Sequence, residues 1–146
     1  MNSHIEYTNP PGAGPAQGLY SNVTLVPANG RTAYIAGQLS VGKDGNVVGR
    51  HDFEAQMRQV FSNLGGILGG LELGFNHVIK FTTYLVHSQD IERFMRVRAE
   101  LFPQLFGGHR FPPNTLLMVD RLVKEDFLIE VEAIASAERD SGMRQG

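Results

Sequence analysis

The chain has 146 residues, no Cys, and 13 Lys+Arg against 15 Asp+Glu, for a formal charge of -2. That length predicts one domain of about 100–200 residues, and the near-neutral charge leaves no broad basic surface for nucleic-acid phosphates. The missing thiols exclude disulfides, thiolate catalysis and Cys-ligated metals.

The first residues have neither the basic start nor the apolar run of a secretory signal. No stretch approaches the ~20 apolar residues of a membrane helix, so a cytoplasmic protein without membrane contact is expected. Residues 9–18 are rich in Pro and Gly and read as a loop. Residues 22–27 and 32–39 are β-branched and apolar. Asn29-Gly30 between them predicts a hairpin, since both residues tolerate positive φ. A second turn follows at residues 42–45.

Asp52 stands at an N-cap position. Phe53, Met57, Val60, Phe61, Leu64, Ile67, Leu68 and Leu71 then recur at steps of three and four, which predicts a helix over 53–72. Gly65, Gly66, Gly69 and Gly70 interrupt it, each costing about 1 kcal/mol relative to Ala. Either the helix ends near Leu64, or the glycines let it approach a sheet closely. The unbroken apolar period favours the second reading, with Gly74 as the stop.

Residues 77–86 predict a strand. Gln89-Asp90 opens a second helix over 91–105, with Ile91, Phe94, Met95, Leu101, Phe102 and Leu105 on its apolar face and Val97 and Arg98 at the flank. Pro103 should kink or shorten it, and Gly107-Gly108 stops it. Phe111-Pro112-Pro113 is extended. Residues 115–120 and 127–135 predict two strands joined by a charged turn at 124–126. Residues 139–146 read as a frayed polar tail after a single domain over 1–138.

Strands alternating with helices predict an α+β fold, one sheet with two helices on one face. Ile35, Leu39, Phe81, Tyr84, Leu116, Leu117 and Val131 suggest strands apolar on both faces, and with no third layer available the second face predicts oligomerisation.

Few motifs carry chemistry. The glycines of 65–70 lack the Lys-Ser/Thr of a phosphate loop. The five His have no metal-ligand spacing, and no nucleophile elbow is present. His109 and Arg110 sit in a loop with rigid flanks. Glu130 and Glu132 alternate on the last strand and so share a face. Two carboxylates there are either solvated edge charges or, if buried in an interface, paired or catalytic. Tyr20, just after the Gly/Pro loop, either lines a pocket or packs.

Taken together, several segments resemble the RidA/YjgF family of reactive imine and enamine deaminases. They are Gly18-Leu19-Tyr20-Ser21, Ile35-Ala36-Gly37-Gln38, the first helix with Gln56 and Asn63, residues 78–85, Phe111-Pro112-Pro113-Asn114-Thr115, and residues 129–135. The pieces run in order over about residues 5–137. The resemblance implies a chorismate-mutase-like fold of order β-β-β-α-β-α-β-β. It also implies a homotrimer whose sheets surround a central barrel, with three clefts between subunits. No cofactor or metal is implied.

In active members a carboxylate-bearing imine sits in the cleft and leaves as a keto acid and ammonia. An Arg just after the Phe-Pro motif clamps the carboxylate. Carried over by position, Glu130 and Tyr20 are the catalytic candidates. Asn114, Gly37, Gln38, Leu116, Arg110 and Arg98 are the candidates for substrate binding. This chain departs from the pattern at Asn114, which replaces the clamp Arg, at Ala36, which replaces a small hydroxyl residue, and at Leu116, often Cys. Asn cannot grip a carboxylate bidentately. Three outcomes stay open. Arg110 or Arg98 supplies the cation from elsewhere; the substrate is neutral or differently shaped; or the chain is a non-catalytic trimer that binds a small molecule or a protein.

Overall fold

A computed structural model describes residues 4–138 of the chain; the predicted tail at 139–146 lies outside them. The elements are β1 (Glu6–Thr8), β2 (Val23–Leu25), β3 (Gly30–Gln38), α1 (Phe53–Gly70), a 3-10 turn (Phe75–His77), β4 (Val78–Leu85), α2 (Asp90–Phe106), β5 (Asn114–Met118) and β6 (Ile129–Glu138). The order β-β-β-α-β-α-β-β is the one expected, with element ends shifted by one to three residues.

Helix α1 begins where Asp52 accepts a 3.0 Å hydrogen bond from the Ala55 N–H, satisfying one of the open donors of its first turn. Its buried face is Phe53, Gln56, Met57, Val60, Phe61, Leu64 and Leu68, so the helix does run through its glycines. The expected close approach to the sheet is not the reason. A Cβ at Gly65 would meet only Phe75, at 3.2 Å, and Gly66, Gly69 and Gly70 face open space. The helix stops at Gly70, before Gly74, and the chain turns through Glu72 at φ 60°.

Helix α2 keeps Pro103 inside it and runs on to Phe106. Gly107, at φ 68°, takes the left-handed position that ends it. Asp90 in its first turn is buried and bonded to Arg93 at 2.6 Å.

The main sheet has the order β3-β6-β4-β5, antiparallel except for the β4–β5 pair. Because β4 and β5 are parallel, α2 is the crossover between them. Strands β5 and β6, adjacent in sequence, are separated by β4. The predicted hairpin at Asn29-Gly30 does not form. Strand β3 spends its length on β6, from Gly30↔Glu138 to Gln38↔Val131, while β2 pairs with β1 in a separate two-stranded ribbon. The ribbon is tied to β4 by the Tyr7 hydroxyl on Val78 O (2.7 Å) and the Thr24 hydroxyl on Ile79 O (2.8 Å).

Both helices cover one face of the sheet. Ile35, Phe81, Val131, Ala133 and Ala135 point into that layer and meet a cluster of rings from Phe61, Phe102, Phe106 and Phe111. The opposite face is less apolar than the sequence suggested. Tyr34, Tyr84, Leu117 and Ile134 share it with Lys80, Thr82, Thr115, Glu130 and Glu132, while Leu116 belongs to the helix side. Tyr34 is 79% exposed and Leu117 43%.

Two amides, the buried Gln56 and the half-buried Asn63, fix the edges of this frame. Gln56 donates to Gly49 O and Asp126 O and accepts from Leu128 N, all within 3.1 Å, which pins the chain entering β6. Asn63 donates to Leu39 O and Val41 O at 3.0 Å, which pins the chain leaving β3.

Candidate functional site

Alternation along β6 decides what Glu130 faces. Val131 pairs with the buried Thr83, so Glu130 points to the open side, opposite Tyr84. Strand β3 is bulged between Ile35 and Gln38, and this places Gly37 against the same carboxylate. A Cβ at Gly37 would overlap Glu130 Oε2 and stand 2.7 Å from its carboxyl carbon, so only glycine leaves the carboxylate its place. Partial burial and the neighbouring Glu132 charge both push the Glu130 pKa above the ordinary carboxylate value. Glu132 is itself held by a short hydrogen bond from the Tyr84 hydroxyl. That bond, burial and the two carboxylates raise the Tyr84 pKa.

Glu130, Glu132 and Tyr84 border a shallow hollow completed by Val119, Arg121, Leu122 and Val123. The Arg121 guanidinium donates to Leu122 O and Val123 O and pairs with Glu125 at 3.4 Å.

A second group lies on the helix side. Arg98 is 2% exposed and rests on the Phe94 ring, 5.0 Å from its centroid. The backbone of Gly18 packs against its Nη2, and Tyr20 lies near enough to act on its charge. Burial lowers the Arg98 pKa to about 10, partly opposed by Tyr20. The Tyr20 hydroxyl accepts from the Gln17 N–H at 3.0 Å.

Asn114 sits beside the buried Phe81 in the β4–β5 register and accepts, through Oδ1, a 2.8 Å hydrogen bond from the Thr83 hydroxyl. Leu116, opposite Thr83, packs against the core on the same side. Arg110 is exposed and reaches Tyr7 O at 3.4 Å, and Gln38 donates locally to Ala36 O at 2.9 Å.

The residues singled out from sequence therefore fall into groups. Glu130 and Gly37 meet on the open face. Tyr20 and Arg98 meet under the early loop. Asn114 and Leu116 lie on the helix side of the sheet, across it from Glu130. Arg110 and Gln38 join none of these in one chain. Sequence reasoning missed Tyr84, Arg121 and Gly18. Tyr84 acquires its place from cross-strand register, which no local pattern carries. Arg98 does leave a signal, since it is four residues from both Phe94 and Phe102 and so continues the buried stripe of α2. A separate depression between the N-termini of the helices, lined by His51, Glu54, His87 and Arg93, holds none of the candidates. Among the described residues, no three His, Asp or Glu side chains cluster as a metal site requires.

Comparison with known proteins adds a frame to this geometry. The family model described as endoribonuclease L-PSP matches residues 12–137. A RutC family protein of Pyrococcus horikoshii is 39% identical over 110 residues, covering 75% of this chain and 82% of the relative. The 2-iminobutanoate/2-iminopropanoate deaminase of Homo sapiens is 33% identical over 120 residues, covering 82% and 81%. The crystal structure of a Yersinia pestis protein of the conserved Rid family superposes with a TM-score of 0.79 at 28% identity, covering 91% and 98%.

Proposed function

Because the chain belongs to the RidA/YjgF family, we propose that it is a hydrolase that releases ammonia from a reactive enamine or imine without cofactor or metal. The observation that carries this reading is the seat of Glu130: a carboxyl group of raised pKa, held against a glycine that cannot be replaced without displacing it. A raised pKa favours the protonated carboxyl group and so suits it to give and retake a proton. The human relative's name gives the reaction class.

In this reading protonated Glu130 gives its proton to the imine nitrogen. As carboxylate it then accepts a proton from a water that attacks the C=N carbon. A C–O bond forms while the C=N π bond opens. Glu130 passes that proton to nitrogen, the C–N bond breaks, ammonia leaves, and the hydroxyl proton returns to Glu130 as the carbonyl forms. An enamine enters the same sequence after protonation at carbon. Tyr20 hydrogen-bonds the substrate, and the Gly37 backbone borders the cleft.

The complete site needs more than one copy of the chain. Glu130 and the Asn114–Arg98 side are separated by the sheet itself, so a single chain presents two half-sites. A homotrimer with the open sheet faces turned inward as a barrel joins the Glu130 half of one copy to the other half of its neighbour. Tyr34 and Leu117 are exposed apolar residues of that face. The reaction is assigned to the cytoplasm. Asn114, lacking a cation, selects a substrate different from the usual small imino acids by reading a carbonyl or amide.

A second reading, a non-catalytic trimer that binds a small molecule or a protein, is favoured by one observation: Asn114 Oδ1 is already engaged by Thr83. Nucleic-acid cleavage, suggested by the family model's description, lacks a basic surface on a chain of charge -2.

The test generates imines in situ from amino acids with an oxidase and traps what survives with semicarbazide. The panel includes imines without a carboxylate. Faster loss of an imine, reduced roughly 10²–10⁴-fold in Glu130→Gln, is the expected result. No acceleration on any imine would leave the binding reading in its place.

A further inference from the structure

Arg98 is the one residue among those described whose buried side-chain nitrogen has no hydrogen-bond partner: its Nε is sealed from solvent and unbonded. Its Nη2 reaches only the Met95 sulfur, a weak acceptor, at 2.9 Å. The Phe94 and Phe102 rings flank it, at 5.0 and 6.0 Å. No carboxylate among the described residues pairs with it. The other arginines of the two helices behave differently, since Arg58 and Arg96 sit with Glu54 or Glu100 at the surface and Arg93 pairs with the buried Asp90. A buried guanidinium with five donors and no anion is costly unless something else supplies the anion.

The lid over it is held by packing, with Leu19 against the core, and by no hydrogen bond to the body. Residues 9–22 bond only among themselves: Ala13 to Pro10, Gln17 to Tyr20, Tyr20 to Gly18, and Asn22 to Asn9 and Gly14. Lifting this loop breaks no hydrogen bond to the body and uncovers the guanidinium. Gly18 and Tyr20 are the residues that close over it.

We propose that Arg98 is the anion receptor of this chain, binding the carboxylate of an imino acid seated differently from the usual small ones, and of its 2-oxo acid product, beneath the loop of residues 9–22. The cation absent at Asn114 thus comes from α2, one layer away from β5. The substrate's identity as an imino acid rests on the deaminase reading above; the receptor itself does not. This choice narrows the substrate to one that carries a carboxylate, and it displaces that group from β5 toward the early loop.

The experiment is calorimetric titration of the full chain with pyruvate and, separately, with pyruvamide, which lacks the charge. Pyruvate should bind and pyruvamide should not. Arg98→Met should weaken pyruvate binding by roughly tenfold or more, the loss of a charge-assisted pair. Arg98→Lys should recover part of it. Because Arg98→Met removes an uncompensated buried cation, its melting temperature without ligand should rise, whereas a merely structural arginine would lower it. Gly18→Ala, whose Cβ would overlap Arg98 Nη2, forces loop and guanidinium apart while keeping the positive charge and should also weaken binding. Unchanged pyruvate binding in Arg98→Met, no binding by the parent chain, or binding of inorganic phosphate in place of pyruvate would overturn the proposal. Pyruvate binding through Arg98 without imine turnover leaves the receptor standing and removes the enzyme. Turnover unchanged in Arg98→Met does the reverse.

Discussion

On the helix-covered side of the sheet, Arg98 is buried with no carboxylate beside it among the described residues. On the open side, Glu130 and Glu132 stand two residues apart on one strand, and their mutual repulsion helps raise the Glu130 pKa. Each side is electrostatically incomplete, in opposite senses. A compact chain avoids such imbalance unless something outside it restores the balance. A cleft that brings the open face of one copy to the helix side of another, with a small zwitterionic or anionic imine between them, would complete both at once. The two halves also differ in rigidity. The Glu130 half is built on paired strands and a bulge, while the Arg98 half is covered by a loop bonded only to itself.

Gly37→Ala breaks the open half most directly. The added methyl overlaps the Glu130 carboxylate and stands 2.7–2.8 Å from its Cδ and Cγ, so that side chain must swing away. A displacement of about 1 Å at a reacting group costs on the order of 10²-fold in rate. Imine turnover should fall by that much with the melting temperature nearly unchanged, because Glu130 is not part of the core. A comparable fall in melting temperature would show that the bulge serves stability instead.

Gln56→Ala perturbs the frame that both halves share. It leaves the partly buried Gly49 O, Asp126 O and Leu128 N without their partner. Buried polar groups so orphaned cost about 1–3 kcal/mol each, and water entry recovers part of this, so a loss of about 3 kcal/mol is expected in urea unfolding at fixed protein concentration. Since Leu128 leads into β6, imine turnover should fall with stability. Pyruvate binding at Arg98, on a different element, should persist wherever the chain is folded.

The two halves were not equally legible in the sequence. Period two on β6 places Glu130 and Glu132 on one face, and the Asp52 cap, the apolar period of α1 and Gly107 place the helices. Family resemblance then grouped Glu130 with Asn114, and nothing local could separate them. Their separation depends on the parallel register Phe81↔Asn114 against the antiparallel register Tyr84↔Glu130, and registers are relations between distant segments. The same reason explains the missed ribbon. Strands of three residues carry too little pattern to name a partner, and Asn29-Gly30 marks a turn without saying which strands it joins. A charged residue is ordinarily solvated, so sequence alone puts Arg98 at the flank of α2. Only its spacing to Phe94 and Phe102 pointed inward.

The smallest expected effect concerns the charge on the open face alone. The folded-state pKa of Glu130 lies above its unfolded value, so the native state holds this proton more tightly than the unfolded chain does. The proton's contribution is fully present below the ordinary carboxylate pKa of about 4.3, and it is lost as pH rises through the folded value. Glu130→Gln removes the ionisation. It should therefore melt slightly higher than the parent chain near neutral pH and converge with it in acid. Because the carboxyl group keeps contact with solvent, the difference should be small and should shrink with added salt, which screens the Glu132 repulsion. A variant that melts lower at neutral pH would mean that Glu130 is already paired with a cation, and that the open face is not the deficient half described above.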